Sequence, residues 1–310
     1  MSVQNNSALT NAYDLLKECN PSMAEIELQK ALSANLENEE IIFALSCANF
    51  WKKPMSQIES LSSAFEKGEY LIFHWKAFIS FIATKEKTFE PVLYAVRKGV
   101  FSLALQYYQA LLREPGMKHK NETYCRIGLC YKKLGDYESA LKFLIDANNK
   151  TPDSAAILAE MADCYAMIGE DKTAKLFFRE AFFINPQEID IYLLESLLIT
   201  ELFMQIRKLG YTENVFLEWV PVYGVLYGVF NVKRGLRAFE FAKLKQSIYT
   251  LESELKELVG IAEALIPKLI NHYFWLIDYY TITKEDRSKI DEVLLKIKLL
   301  DNDIYTKYTI

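Results

Sequence analysis

The chain repeats itself at a fixed interval. Between Asn121 and Pro186 identical residues recur 34 positions apart: Cys130 and Cys164, Tyr131 and Tyr165, Gly135 and Gly169, Ala140 and Ala174, Ala147 and Ala181, Pro152 and Pro186. Small residues (Gly128, Ala140, Ala147, then Ala162, Ala174, Ala181) fall where two helices of a hairpin must approach closely. Large apolar residues (Tyr124, Tyr131, Leu144, then Leu158, Tyr165, Phe178) fill the space between them at three- to four-residue spacing. Leu134-Gly135-Asp136 and Ile168-Gly169-Glu170 each read as a helix end with glycine at the C-terminal cap and an acid opening the next helix. Thr151-Pro152-Asp153 and Asn185-Pro186 stop the second helix of each hairpin, because a residue before proline avoids the helical region. One hairpin cannot bury its own apolar face, so further helices are expected to flank this pair on both sides.

The flanks carry weaker signals. Asn20-Pro21 predicts a helix start with asparagine as cap and proline in the first turn. Residues 38–51 and 54–67 read as two helices divided at Lys53-Pro54, with Lys67-Gly68 ending the second. Tyr70–Thr84 is apolar nearly all round, which predicts burial on two sides. Residues 88–113 read as a degenerate hairpin. Gly99, Phe101, Ala104, Tyr108 and Leu111 follow the order of Gly135, Tyr137, Ala140, Leu144 and Ala147, after a short first helix around Glu90–Lys98. Glu114-Pro115-Gly116 and a polar link containing His119 close that hairpin.

Beyond Pro186 the period is lost. Ile189–Leu209 reads as one long amphipathic helix. Glu218–Phe230 fits either helix or extended chain: β-branched and aromatic residues favour strand, while Gly224 and Gly228 suit a helix contact. A helix over Gly235–Leu258 carries Leu244, Ile248, Leu251, Leu255 and Leu258, the seam of an antiparallel pair or short coiled coil. Ile261–Tyr280 and Ser288–Leu300 are its expected neighbours, and residues 301–310 a tail.

The interval and its residue types resemble two consecutive tetratricopeptide (TPR) repeats, over roughly a fifth of the chain. The resemblance implies an all-α fold: a right-handed superhelical stack of helical hairpins followed by a C-terminal helical bundle. The expected organisation is 1–120 degenerate hairpins, 121–188 two clear repeats, and 189–310 a capping helix and C-terminal helical region. It also implies a non-enzymatic scaffold or adaptor that holds a peptide or partner protein in a concave groove lined by the first helix of each hairpin. On those helices the residues off the core pattern are Glu122, Cys125, Arg126, Leu129, Lys132 and Lys133, then Ala156, Ala159, Glu160, Asp163, Ala166 and Met167. Their charges are mixed, and they either face a partner or pair with one another across the rungs. Some TPR proteins clamp a chaperone's C-terminal carboxylate with Lys and Asn. Cys125 and Leu129 stand where that clamp needs them, which argues for a different partner.

A second candidate patch follows the repeats. Trp219, Tyr223, Tyr227 and Phe230 form either core, the preferred reading, or an exposed recognition surface. Lys233, Arg234 and Arg237 read as a solvated helix start, with an anion site as the alternative, since cations sit unfavourably at a helix N-terminus.

Other chemistry is thinly represented. No phosphate-binding loop, GxSxG or HExxH motif occurs, and His74, His119 and His272 lie far apart in sequence, so no cofactor, metal or catalytic centre is expected. A net charge of −5 argues against a general nucleic-acid binder. The alternatives are an enzyme or regulator with its site in the C-terminal helices, or a nucleic-acid-responsive regulator, which would need a basic face. The N-terminus has no basic start followed by an apolar run, and Trp219–Val232 falls short of the roughly 20 residues that cross a bilayer. Five cysteines without a CxxC pair suit buried thiols in a reducing compartment. The expectation is a cytoplasmic protein away from membranes, with the leucine seam as a possible homodimer contact.

Overall fold

The computed structural model describes residues 2–113, 120–257 and 262–310. Among them the chain forms fifteen α-helices and no strand, the all-α class that the periodicity predicts. It gathers into two compact units, Met1–Thr151 and Pro152–Ile310, so the border falls between the two repeat hairpins. The closing turn Glu114-Pro115-Gly116, His119 and the last seam residue, Leu258, lie outside the described residues.

The first unit contains α1 (Ser2–Lys17), α2 (Pro21–Ala34), α3 (Glu39–Gln57), α4 (Ala64–Ala83), α5 (Glu90–Leu111), α6 (Lys120–Lys133) and α7 (Tyr137–Lys150). Asn20 caps α2 as read, its side chain accepting the Met23 N–H at 3.2 Å. Helix α5 packs against α1, α3, α4 and α6. Three sequence readings change here. Helix α3 runs through Pro54, which is buried in its last turn, where the missing N–H costs only one bond. Gly68 lies inside α4 rather than at a helix end: a Cβ there would stand 2.4 Å from Cζ of Tyr108. The start of α4 is set by a reciprocal cap in which Ser63 Oγ accepts the Glu66 N–H at 3.1 Å and Glu66 accepts the Ser63 N–H at 3.2 Å.

Gly99 is the third change. Helix α5 is continuous through it, and a Cβ would lie 2.2 Å from the Leu16 carbonyl oxygen. The glycine is there for close approach to α1, and no short first helix exists. On α4, Leu71, Ile72, Trp75 and Phe78 are buried while Phe73 is 63% exposed, so burial covers only part of its circumference.

The second unit contains α8 (Ala155–Met167), α9 (Asp171–Ile184), α10 (Leu197–Arg207), α11 (Glu213–Leu226), α12 (Ala238–Glu257), α13 (Ala262–Thr283), α14 (Arg287–Leu300) and α15 (Asn302–Thr309). Hairpins α6–α7 and α8–α9 close in the same way. Gly135 and Gly169 sit at φ +85° and +82°. The N–H of the following acid reaches back to the helix, from Asp136 to the Tyr131 carbonyl at 3.0 Å and from Glu170 to the Tyr165 carbonyl at 2.9 Å. Inside each hairpin the same pair of rings stacks: Tyr131 on Phe143 with centroids 5.6 Å apart, and Tyr165 on Phe177 at 5.5 Å. Asp136 caps α7 by accepting the Ser139 N–H, whereas the longer Glu170 makes no such bond.

Beyond the hairpin the expected long helix over Ile189–Leu209 is only α10; residues 189–196 are turns and extended chain. The ambiguous aromatic stretch is helical. In α11, Trp219, Val220, Val222 and Tyr223 are all buried, the pattern of a helix enclosed on every side. It ends before Gly228 (φ +73°), and Gly224 leaves room for Phe230, whose ring atom Cδ2 would lie 2.3 Å from a Cβ there. The seam residues Leu244, Ile248 and Leu251 are buried where α12 packs on α13. Residues 301–310 are mostly helix, with the Asp301 side chain capping α15.

Candidate functional site

On α6 most of the predicted groove residues are already engaged. Arg126 grips Glu69 of α4 through two bonds, Nε to Oε1 at 2.6 Å and Nη2 to Oε2 at 2.8 Å. The Tyr108 hydroxyl donates to the same carboxylate at 2.7 Å. Burial works against the charged guanidinium, but the bonds and charge of Glu69 outweigh it and raise the Arg126 pKa. Leu129, Lys132 and Lys133 are buried, Cys125 is half-buried and Glu122 is exposed.

Helix α8 is enclosed more completely. Ala159, Glu160 and Asp163 are buried, Ala156 and Ala166 are half-buried, and only Met167 is exposed. The Asp163 carboxylate accepts the backbone N–H groups of Glu195 at 2.9 Å and Ser196 at 2.8 Å. Ile189, Leu193 and Leu194 from the same stretch are buried. The off-core side of α8 at Asp163 thus carries a non-helical stretch of its own chain, held through the backbone N–H groups of Glu195 and Ser196.

The second patch divides. Trp219, Tyr223 and Phe230 are buried, the preferred core reading, while Tyr227 is 42% exposed. Of the cations after it, Lys233 and Arg234 are paired within the unit, which replaces the anion-site reading for those two, while Lys233 and Arg237 remain exposed. Lys233 meets Asp278 at 2.7 Å, and Asp278 also holds the buried Arg179. Arg234 bonds Glu180 of α9 and Glu240 of α12. Three cations meet three carboxylates. Glu240 also accepts the Arg237 N–H at 2.7 Å, which answers the unfavourable charge at the start of α12; Arg237 itself is exposed. Lys175 and Arg179 of α9 donate to the carbonyls of Gly228 (3.3 Å) and Val232 (3.0 Å), strapping residues 228–234 onto that helix. A glutamate three residues beyond Arg237 was the legible sign of this cap; Asp278, 45 residues beyond Lys233, left none.

No protein-family model matches the chain, and no curated protein matches it.

His272 is buried, its Nδ1–H donates to the Lys268 carbonyl (2.8 Å), and burial pushes its pKa down to about 4, so the ring is neutral at pH 7. His74 is also lowered by burial. Among the described residues no group of three His, Cys, Asp or Glu side chains is placed to hold a metal ion, and no helix is long and apolar enough to cross a membrane. All five cysteines are free thiols. Two clefts open in the second unit. One, of about 400 Å³, lies among α12, α13 and α14, where Lys296 is held by Glu252 at 3.0 Å. The other, of about 340 Å³, is lined by Tyr211, Trp219, Glu263 and Asp301 over an apolar floor. Neither was foreseen from sequence, because each assembles residues from separate helices.

Proposed function

We infer that this chain is a non-enzymatic, TPR-like scaffold that holds a protein or peptide partner in a cytoplasmic setting. The single observation that carries the reading is the contact of Asp163 with residues 195 and 196. In it the off-core side of a repeat's first helix takes up a non-helical stretch of chain through two main-chain N–H groups. At α8 that surface is occupied in cis. The free thiols support a reducing compartment. Contact with a partner then falls to the first-helix residues left exposed, Glu122 on α6 and Met167 on α8.

Site-specific photo-crosslinking tests this. A crosslinkable residue is placed singly at Glu122, at Met167, and at the exposed second-helix positions Glu138 and Lys172 as controls. One protein captured at a first-helix position and absent from both controls supports the scaffold. Capture only at the controls, or none at any position, overturns it.

A further inference from the structure

The 340 Å³ cleft has a composition that selects its ligand. Tyr211 lies ring on ring with Trp219, centroids 5.0 Å apart at 19°, and the Tyr211 and Tyr223 hydroxyls share a bond of 2.9 Å that fixes the wall. Val215, Ile266 and Leu300 supply an aliphatic floor. Among the described lining residues every charged one is acidic: Glu263 and Asp301. Glu263 is exposed in the first turn of α13. Asp301 is held firmly, its Oδ1 accepting the N–H groups of Asp303 at 2.9 Å and Ile304 at 3.0 Å.

The starts of α11, α13 and α15 bring partial positive charge to the cleft, and the ends of α10 and α14 bring partial negative charge. At about half a charge per helix end these leave two full carboxylates dominant. Lys307 reaches the same aromatic wall: it pairs with Asp303 at 2.6 Å while its ammonium lies 5.8 Å from the centroid of Tyr223. The same row of rings therefore already holds one cation of its own. An anion would face two carboxylates here, and a plain apolar group would leave them without a counter-charge.

We propose that this cleft receives an arginine side chain of the partner protein, its aliphatic stem on Val215, Ile266 and Leu300 and its guanidinium beside Tyr211 and Glu263. A planar, weakly hydrated guanidinium stacks on aromatic rings and pairs with carboxylate more readily than an ammonium does. The proposal rests on the scaffold reading for the source of the arginine. The site itself is tested without any partner.

The full chain is titrated with N-acetyl-arginine methylamide and with its uncharged isostere, N-acetyl-citrulline methylamide, following the methyl signals of Val215, Ile266 and Leu300 by NMR. Binding of the arginine compound at these methyls, at least about fivefold tighter than citrulline, is the expected result. Glu263→Gln, an exposed substitution that leaves the fold alone, should reduce that preference by several-fold and leave citrulline unchanged. Equal affinity for the two compounds, methyl signals that do not move, or an unaltered preference in Glu263→Gln would each overturn the site. A lysine analogue that binds more tightly would overturn the guanidinium assignment. Arginine binding alongside failed crosslinks at Glu122 and Met167 would reject the scaffold and keep the cleft.

Discussion

Asp163 and Ser196 are joined by a 2.8 Å hydrogen bond from backbone N–H to carboxylate in which both residues are buried. With the Glu195 N–H, held by the same carboxylate at 2.9 Å, it fixes the residues just before α10 onto α8. Two N–H groups that would otherwise need partners in a helix find them on α8.

Removing that acceptor should therefore be costly. Asp163→Ala leaves the N–H groups of Glu195 and Ser196 buried without the carboxylate, a loss of about 3 kcal/mol from two charge-assisted bonds. Urea unfolding of the two proteins checks it. A midpoint shift worth under about 1 kcal/mol would reject the role given to Asp163.

Glycines of two kinds should respond differently to alanine. Gly99→Ala forces a methyl against the Leu16 carbonyl, and Gly68→Ala forces one into the Tyr108 ring, overpacking that typically costs about 1–3 kcal/mol. At Gly135 there is open space and only a left-handed backbone to hold, so Gly135→Ala should cost about 1–2 kcal/mol. Thermal melts should also separate them by rescue. Tyr108→Leu should relieve Gly68→Ala, because the clash is with that ring, and do nothing for Gly135→Ala.

The Arg179–Asp278 pair is buried on both sides, and Lys233 reaches it from the strap. Asp278→Ala strands a buried guanidinium and should destabilise by about 3–5 kcal/mol. Replacing both partners, Arg179→Met with Asp278→Leu, should recover most of that. A double-mutant cycle by chemical denaturation measures the coupling, and additive effects would contradict the pairing.

Acid should weaken the fold through His272. Its folded pKa of about 4 lies below the ordinary 6.5, so the native state resists a proton that the unfolded chain accepts. The full contribution is present above pH 6.5 and is lost as the pH falls from there through 4, by at most about 1.4 kcal/mol per pH unit. His272→Gln should flatten the stability profile in that window relative to the natural chain. His74 titrates in both proteins, so the difference between them isolates His272; identical profiles would refute the assignment.

Much of the repeat region could be read locally. A glycine at a helix end, an acid after it and a proline at the hairpin's close act within a few residues, and Gly135, Gly169, Asp136 and Pro186 all carry out the roles their spacing predicts. Phe143 and Phe177, also 34 apart, carry the same period and stack on Tyr131 and Tyr165. Gly68 and Gly99 misled for a physical reason: glycine serves equally for a left-handed turn and for close packing, and only the neighbour across the interface distinguishes them.

The candidate binding residues were harder. Helical phase told which side of α6 and α8 lay off the hairpin core, but that side need not face solvent. On α6 it meets Glu69, and on α8 it meets residues 195 and 196. Local sequence determined the helices, their caps and the 34-residue hairpin. Tertiary structure alone decided what covers each helix, because burial and charge pairing depend on residues tens of positions away whose arrival no local pattern encodes.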